Sequence, residues 1–451
     1  MRDELLKLHR ADFGPAEEQA VLNALRSGWL TKGPRTREFE QAFALRIGAP
    51  CCLGVNSCTA ALHLALLAGG VGAGDEVIVP ALTFAASANV VVHCGATPIF
   101  ADVLPATHCI DPEHVAALIS PHTKALVAVH FAGVPCALDE LRELADRCGL
   151  FIVEDCAHAV ETEYKGRTVG VAGGSRFAAY SFYATKNLIC GEGGMLACFN
   201  ADDHQRAMVL GLHGMSADAW KRYSGEGFRL YDIVEAGYKY NMFDLQAALG
   251  LVQLSKLDAN WQRRHARMQQ YAALIAQAFP QGEVTLQACP PDCKSAHHLC
   301  VVRLDLGGAG FQPAGSGAGP GAAKIGGTEA AATRMAGTAA RPTGESAGKM
   351  PAPPEIAGKM PAPPAMPHAS PVRDAIIHGL RRRNVEAYVH YICLTETEFY
   401  RERYGTLGEQ TPTALDLSRR SITLPLFPSM TEADVEYAIA MLQESVDEAL
   451  G

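Results

Sequence analysis

A single lysine, Lys186, stands in the stretch SFYATKNLICGEGGM (181–195), between an apolar run and a cluster of glycines. An acid, Asp155, closes the apolar run LFIVED 31 residues upstream, and His158 follows three positions later. Further upstream, VNSCTAALHLAL places Ser57, Cys58 and Thr59 at the start of a helical pattern, where free amides, hydroxyls and the positive helix end can hold an anion. Ser181 adds a hydroxyl five residues before the lysine, and Phe84 in PALTFAAS offers a flat ring. Each residue also has an ordinary reading. Lys186 could be a solvated loop cation, Asp155 or Ser57 a helix N-cap, His158 a ring on a turn, and Phe84 a core aromatic. Taken together they are the set that pyridoxal 5'-phosphate requires: an amine for the aldehyde, an acid for the pyridine nitrogen, donors for the phosphate and a ring cover.

The elements that must carry these residues follow from the periodicity. DEVIVP (75–80), TPIFADV (97–103), TKALVAVHF (123–131) and LFIVED (150–155) read as buried strands. SRFAAYSFY (175–183) and GGMLACF (193–199) read as two more. Segments 59–70 and 137–149 have helical spacing with glycine stops, and 83–95 lies between strands in the same way. This alternation implies an α/β domain with a mostly parallel sheet, in which ligands bind beyond the carboxyl ends of the strands. A helical stretch over 241–279 leads to a second domain, which opens with a strand in 297–306 and resumes with a helix and a strand in 373–391. Between these, 307–371 is dominated by Gly, Ala, Pro, Ser and Thr and repeats AGKMPAPP twice, the composition of a disordered insertion without a part in catalysis.

Bulk composition sets outer limits. The 451 residues are 48% apolar and 19% charged, an ordinary globular balance. A net charge of −9 provides no basic field for nucleic acid. No apolar run is long enough for a membrane span and the first residues lack a secretion signal, so a cytoplasmic protein is expected. The 14 cysteines then read as reduced thiols rather than disulfides. Cys289, Cys293, His297 and His298 fit no common zinc spacing, and no metal is expected.

At this point the chain resembles the DegT/DnrJ/EryC1/StrS sugar aminotransferases. The resemblance rests on LRSGWLTKGPRTREFEQAFA (25–44), VNSCTAALHLAL, GDEVIVPALTFAASANVV (74–91), IVEDCAHAVETEYKGRTVG (152–170), SFYATKNLICGEGGM, GYKYNMFDLQAALGLVQL (237–254) and RRSITLPLFPSMTEADVEYAI (419–439). It implies fold type I of the pyridoxal-phosphate transferases: a large domain with a mostly parallel seven-stranded sheet and a smaller α+β C-terminal domain. The expected divisions are 1–255 with an N-terminal arm, 256–306, the insertion 307–371, and 372–451. Lys186 is then implied as the Schiff-base lysine and general acid/base, Asp155 as the partner of the pyridine nitrogen, and His158 as a neighbour of the ring. Phe84 is implied to stack on the ring, with Thr59, Cys58 and Ser181 on the phosphate. The family shares its sites across a homodimer, which makes Lys239 and Asn241 of GYKYN candidates to reach the other subunit's cofactor.

The implied reaction takes the amine of L-glutamate to a nucleotide-linked keto sugar. KYN and HGMSADAWKRY (213–223) resemble the branch acting on UDP-4-keto-pentoses, such as the UDP-4-amino-4-deoxy-L-arabinose aminotransferase. Thr395 stands where relatives often carry a histidine facing the sugar, while His390 remains. Competing readings are a 3-keto sugar aminotransferase, a lyase acting on an amino acid, and a non-catalytic scaffold on the same fold. Sugar 3-dehydration is opposed by Lys186, since that branch carries histidine there.

Overall fold

The computed structural model describes residues 2–216, 231–307, 370–405 and 407–450. The expected insertion 307–371, beyond its end residues, and most of HGMSADAWKRY therefore lie outside the described residues. The strands are β1 (Cys51–Val55), β2 (Glu76–Pro80), β3 (Thr97–Ala101), β4 (Thr123–Val129), β5 (Phe151–Asp155), β6 (Glu163–Tyr164), β7 (Arg167–Thr168), β8 (Phe177–Ser181), β9 (Gly194–Cys198), β10 (Val284–Leu286), β11 (Cys300–Leu304) and β12 (Ser421–Leu424).

Seven of them form the main sheet in the order β1-β9-β8-β5-β4-β2-β3. The pairs from β8 through β3 are parallel, and β9 alone runs against its two neighbours. Val55, Pro80, Val129, Asp155 and Ser181 consequently finish at one edge, and Gly194 begins there, opposite both Val55 and Ser181. These strands are Val, Ile, Ala and Phe runs buried along nearly their whole length, as a sheet covered on both faces demands. The helix Cys58–Ala68 is apolar on nearly every side because all of it except Thr59 and Leu67 is buried. By contrast, the helix Leu138–Cys148 buries only Leu138, Leu141, Leu144 and Ala145, one stripe, and stops at left-handed Gly149.

A continuous helix, Asp244–Ala278, carries the chain onward. The division expected at 255–256 falls inside it. Its last turns give Tyr271 and Ile275, and the residue after it Phe279, to a second core, built with the three-stranded sheet β10-β11-β12 and the helices Pro371–Arg382 and Glu432–Leu450. Leu6 belongs to that second core and pairs with Val385, so the N-terminal arm lies on the smaller core rather than the larger one. Conversely, Cys393, Leu394, Tyr400, Ala414 and Leu417 pack into the main core. The strand expected at the end of 373–391 is reduced to single bridges, Leu6 with Val385 and Tyr388 with Thr423.

Candidate active site

Beyond the carboxyl edge of the main sheet lies a cavity of ≈ 520 Å³, and eight of the ten residues expected at the site line it. Asp155 lines it, buried. The carboxylate accepts from Ser87 Oγ at 2.9 Å and from the Ala157 N–H at 3.1 Å. Burial pushes the carboxyl upward, and these donors together with the nearby Lys186 amine oppose that shift. Lys186 lines the same cavity, and burial pulls its amine down to about 8. Its Nζ forms no hydrogen bond among the described residues, so the lone pair of the neutral amine is free for a carbonyl carbon.

The anion end is built on the start of the helix Cys58–Ala68. Ser57 caps that helix, its Oγ accepting the Ala60 N–H at 3.1 Å, while Thr59 is exposed to the cavity. Cys58, expected beside the phosphate, stands at the first position of this helix, lining the cavity. Its Sγ lies 3.9 Å from Asp155 Oδ1, leaving the backbone N–H as the group it can offer an anion. Ser181 lines the cavity from the end of β8. The close approach here needs Gly194: a Cβ at that position would stand 2.5 Å from the Ser57 carbonyl carbon and 2.6 Å from the Cys58 nitrogen. An acid beside an amine, with a helix start and two hydroxyls at one end, fits the donor set of pyridoxal phosphate. Ser57, Cys58 N–H, Thr59 and Ser181 can hold its phosphate, Asp155 its ring nitrogen and Lys186 its aldehyde carbon.

The walls are aromatic. Phe84 is 60% exposed and turns its ring to the cavity mouth, 5.7 Å from the Tyr391 ring. His158 is buried and neutral, its affinity for a proton lowered by burial and then by Lys186. Its Nδ1 accepts the Ala132 N–H at 3.1 Å, so Nε2 carries the proton and donates to the Tyr391 hydroxyl at 3.1 Å. Tyr391, His298, Tyr183 and Glu192 line the cavity without having been singled out as site residues. Tyr391 lies 233 positions from His158, and no local pattern announces such a meeting. His297 and His298, weighed as metal ligands, hydrogen-bond to His265 and Asn187 respectively.

Lys239 and Asn241 stay outside this chain's cavity. Lys239 is exposed and bridges Leu212, and Asn241 bridges Val55 beside the anion end. Asn241 Oδ1 is buried without a partner among the described residues.

Residues 12–309 and 346–443 match the sequence pattern of the DegT/DnrJ/EryC1/StrS aminotransferase family. The chain is 38% identical to the spore coat polysaccharide biosynthesis protein SpsC of Bacillus subtilis over 437 residues, covering 96% of this chain and 95% of that one. Among solved structures, the PLP-form of Spr1654 from Streptococcus pneumoniae, assigned as a sugar aminotransferase, superimposes with a TM-score of 0.78 at 27% identity, over 99% of this chain and 100% of that one. The aminotransferase TlmJ from Streptoalloteichus hindustanus gives 0.76 at 27%, over 99% and 100%.

Proposed function

The chain belongs to the DegT/DnrJ/EryC1/StrS aminotransferase family and is a pyridoxal-phosphate-dependent sugar aminotransferase, and on that premise we propose that it moves the amino group of L-glutamate to the keto carbon of a UDP-linked 4-keto sugar. The observation that carries the reading is the meeting of Lys186, Asp155 and the start of the helix Cys58–Ala68 in one cavity. Pyridoxal phosphate supplies the electron sink that stabilises negative charge at the carbon losing its proton.

The chain's own residues do the rest. Lys186 Nζ takes the proton from the donor's α carbon and returns it at the other end of the transfer, a role suited to an amine titrating near 8. Asp155 keeps the ring nitrogen protonated, with Ser87 and Ala157 holding the carboxylate in one orientation. His158, fixed between Ala132 and Tyr391, would stand beside the ring, and Phe84 would stack on it. The phosphate would be held by Ser57, Thr59, Ser181 and the Cys58 N–H.

The 4-keto and UDP assignments rest on the KYN segment, and polysaccharide synthesis in the Bacillus relative supports an amino sugar product. A second copy of the chain completes the site with Lys239 and Asn241. Exposed Trp29, Leu30 and Phe243 support such a partner, since apolar side chains clustered at a surface mark association. We place the reaction in the cytoplasm, a setting in which the 14 cysteines would stay reduced.

Half-reactions test the proposal. L-Glutamate should bleach the visible absorbance of the bound cofactor, and a UDP-4-keto sugar should restore it with formation of the amino sugar. Restoration by a 3-keto sugar or by keto acids alone would move the assignment to another acceptor. A protein that never binds the cofactor would favour the scaffold reading.

A further inference from the structure

Asn187 follows Lys186, is buried, and has its side-chain amide fully engaged. Nδ2 donates to Glu161 Oε2 at 3.0 Å and to the Ala296 carbonyl at 2.9 Å. A carboxylate and a carbonyl can only accept, so the amide has a single orientation and its Oδ1 faces His298 Nδ1 at 3.1 Å. His298 therefore carries its proton on Nδ1 and donates it to Asn187. The His298 ring in turn lies 4.4 Å from that of His158, inclined by 35°. Behind them, Glu161 Oε1 stands 3.9 Å from Arg264 Nη1, both side chains buried.

We propose that Asn187 is a positioning residue for Lys186 and, through His298, for the ring of His158. The proposal rests on the reading of Lys186 as the cofactor lysine. The flexible lysine side chain has no hydrogen bond at its own tip among the described residues. Its direction is set by where the main chain leaves it. On one side the Lys186 N–H is tied to the Tyr183 carbonyl at 2.9 Å. On the other, the three bonds of the Asn187 amide pin the next residue to segments 161, 296 and 298. His298 links the same amide to the wall that contains His158, so amine and ring wall share one support. Displacement of a reacting group by about 1 Å can cost about a hundredfold in rate, which is the scale of effect such a support protects.

The test uses the full chain, stripped of cofactor and mixed with pyridoxal phosphate, and follows covalent capture by absorbance across pH. Asn187→Ala should slow capture by about tenfold and displace its pH midpoint. In the loaded enzyme it should lower kcat by about 10- to 100-fold while the keto-sugar KM stays within about threefold. Glu161→Gln keeps an acceptor oxygen for Nδ2 but removes the charge facing Arg264. It should lower Tm while leaving the capture midpoint and kcat close to those of the unaltered chain. Asn187→Ala with unaltered midpoint and capture rate would overturn the proposal, as would losses in both variants that simply follow Tm. Covalent capture surviving in Lys186→Ala would overturn the lysine assignment and the proposal together. Normal capture without turnover of any keto sugar would overturn the sugar assignment alone, and the capture data would still decide the role of Asn187.

Discussion

Lys186 and Asp155 face one another's chemistry from the same cavity, and the balance between them has a definite pH dependence. Burial favours the neutral amine and brings Lys186 to about 8 from an ordinary 10.5. Below about 8 the amine is charged in folded and unfolded chains alike, and the cost of burying that charge is fully present. Between about 8 and 10.5 the folded chain has released its proton while the unfolded chain still holds one, so stability of the cofactor-free protein rises with pH across this window. Capture of pyridoxal phosphate needs the neutral amine, and its rate should climb with pH to a midpoint near 8. A flat profile from pH 6 to 9 would contradict that environment for Lys186. Asp155→Ala removes the acid held by Ser87 and Ala157, and kcat should fall by about 10²-fold or more. Bound cofactor should still be visible in that variant, because the lysine and the anion end remain.

Elements place these groups, and two contacts between elements carry testable weight. Gly194→Ala would drive a methyl into the Ser57–Cys58 backbone, which cannot move without shifting the helix start. The expected result is cofactor affinity lowered by about tenfold or more and a stability loss of about 1–3 kcal/mol, read by titration and thermal melting. Asp244, at the start of the long helix, accepts from the Gly33, Arg35 and Thr36 N–H groups and from Thr36 Oγ1. Asp244→Ala leaves those donors unpaired in a buried place and should cost about 3 kcal/mol, read from denaturant midpoints, with Asp244→Asn costing less.

Much of this scale was readable beforehand. β2 to β5 are rich in apolar and β-branched residues and β8 and β9 are apolar, with Asp155 closing one such run and Lys186 following another by five residues. β1, CCLGV, went unread because cysteine and glycine carry little strand signal. The run VEAYVHY has strand composition, yet it meets the open edge of β12 only through Tyr388 and Thr423 and the N-terminal arm only through Val385 and Leu6, so no ladder forms. His298, Tyr391 and Asn187 were illegible as a group because tertiary packing, not spacing, brings them together.

For the whole molecule, the family match leaves 310–345 between its two segments, a shorter gap than the composition shift at 307–371 suggests. Replacing 310–345 by a short Gly/Ser linker should leave cofactor binding and kcat within about twofold, since such a sequence contributes little buried apolar surface. Loss of cofactor binding in that deletion would assign the segment a part in the site. The two-core arrangement shares residues in both directions, with Leu6 on the smaller core and Tyr400 on the larger. Cutting the chain at 255–256 would sever a continuous helix, and the halves should fail to fold separately, as judged by circular dichroism.

The reversed strand β9 has one more effect. Because Gly194 pairs directly with Ser181, the chain from 182 to 193 leaves the sheet and returns to the same spot. It is laced internally by Phe182 N–H to the Gly193 carbonyl and by Cys190 N–H to the Phe182 carbonyl. The lysine thus works from a short tether fastened at both ends to the central sheet. Such a tether cannot fray by itself. The bonded amide protons at its two ends, those of Phe182 and Cys190, should exchange with deuterium only when the central sheet opens, as slowly as those of β5 and β8.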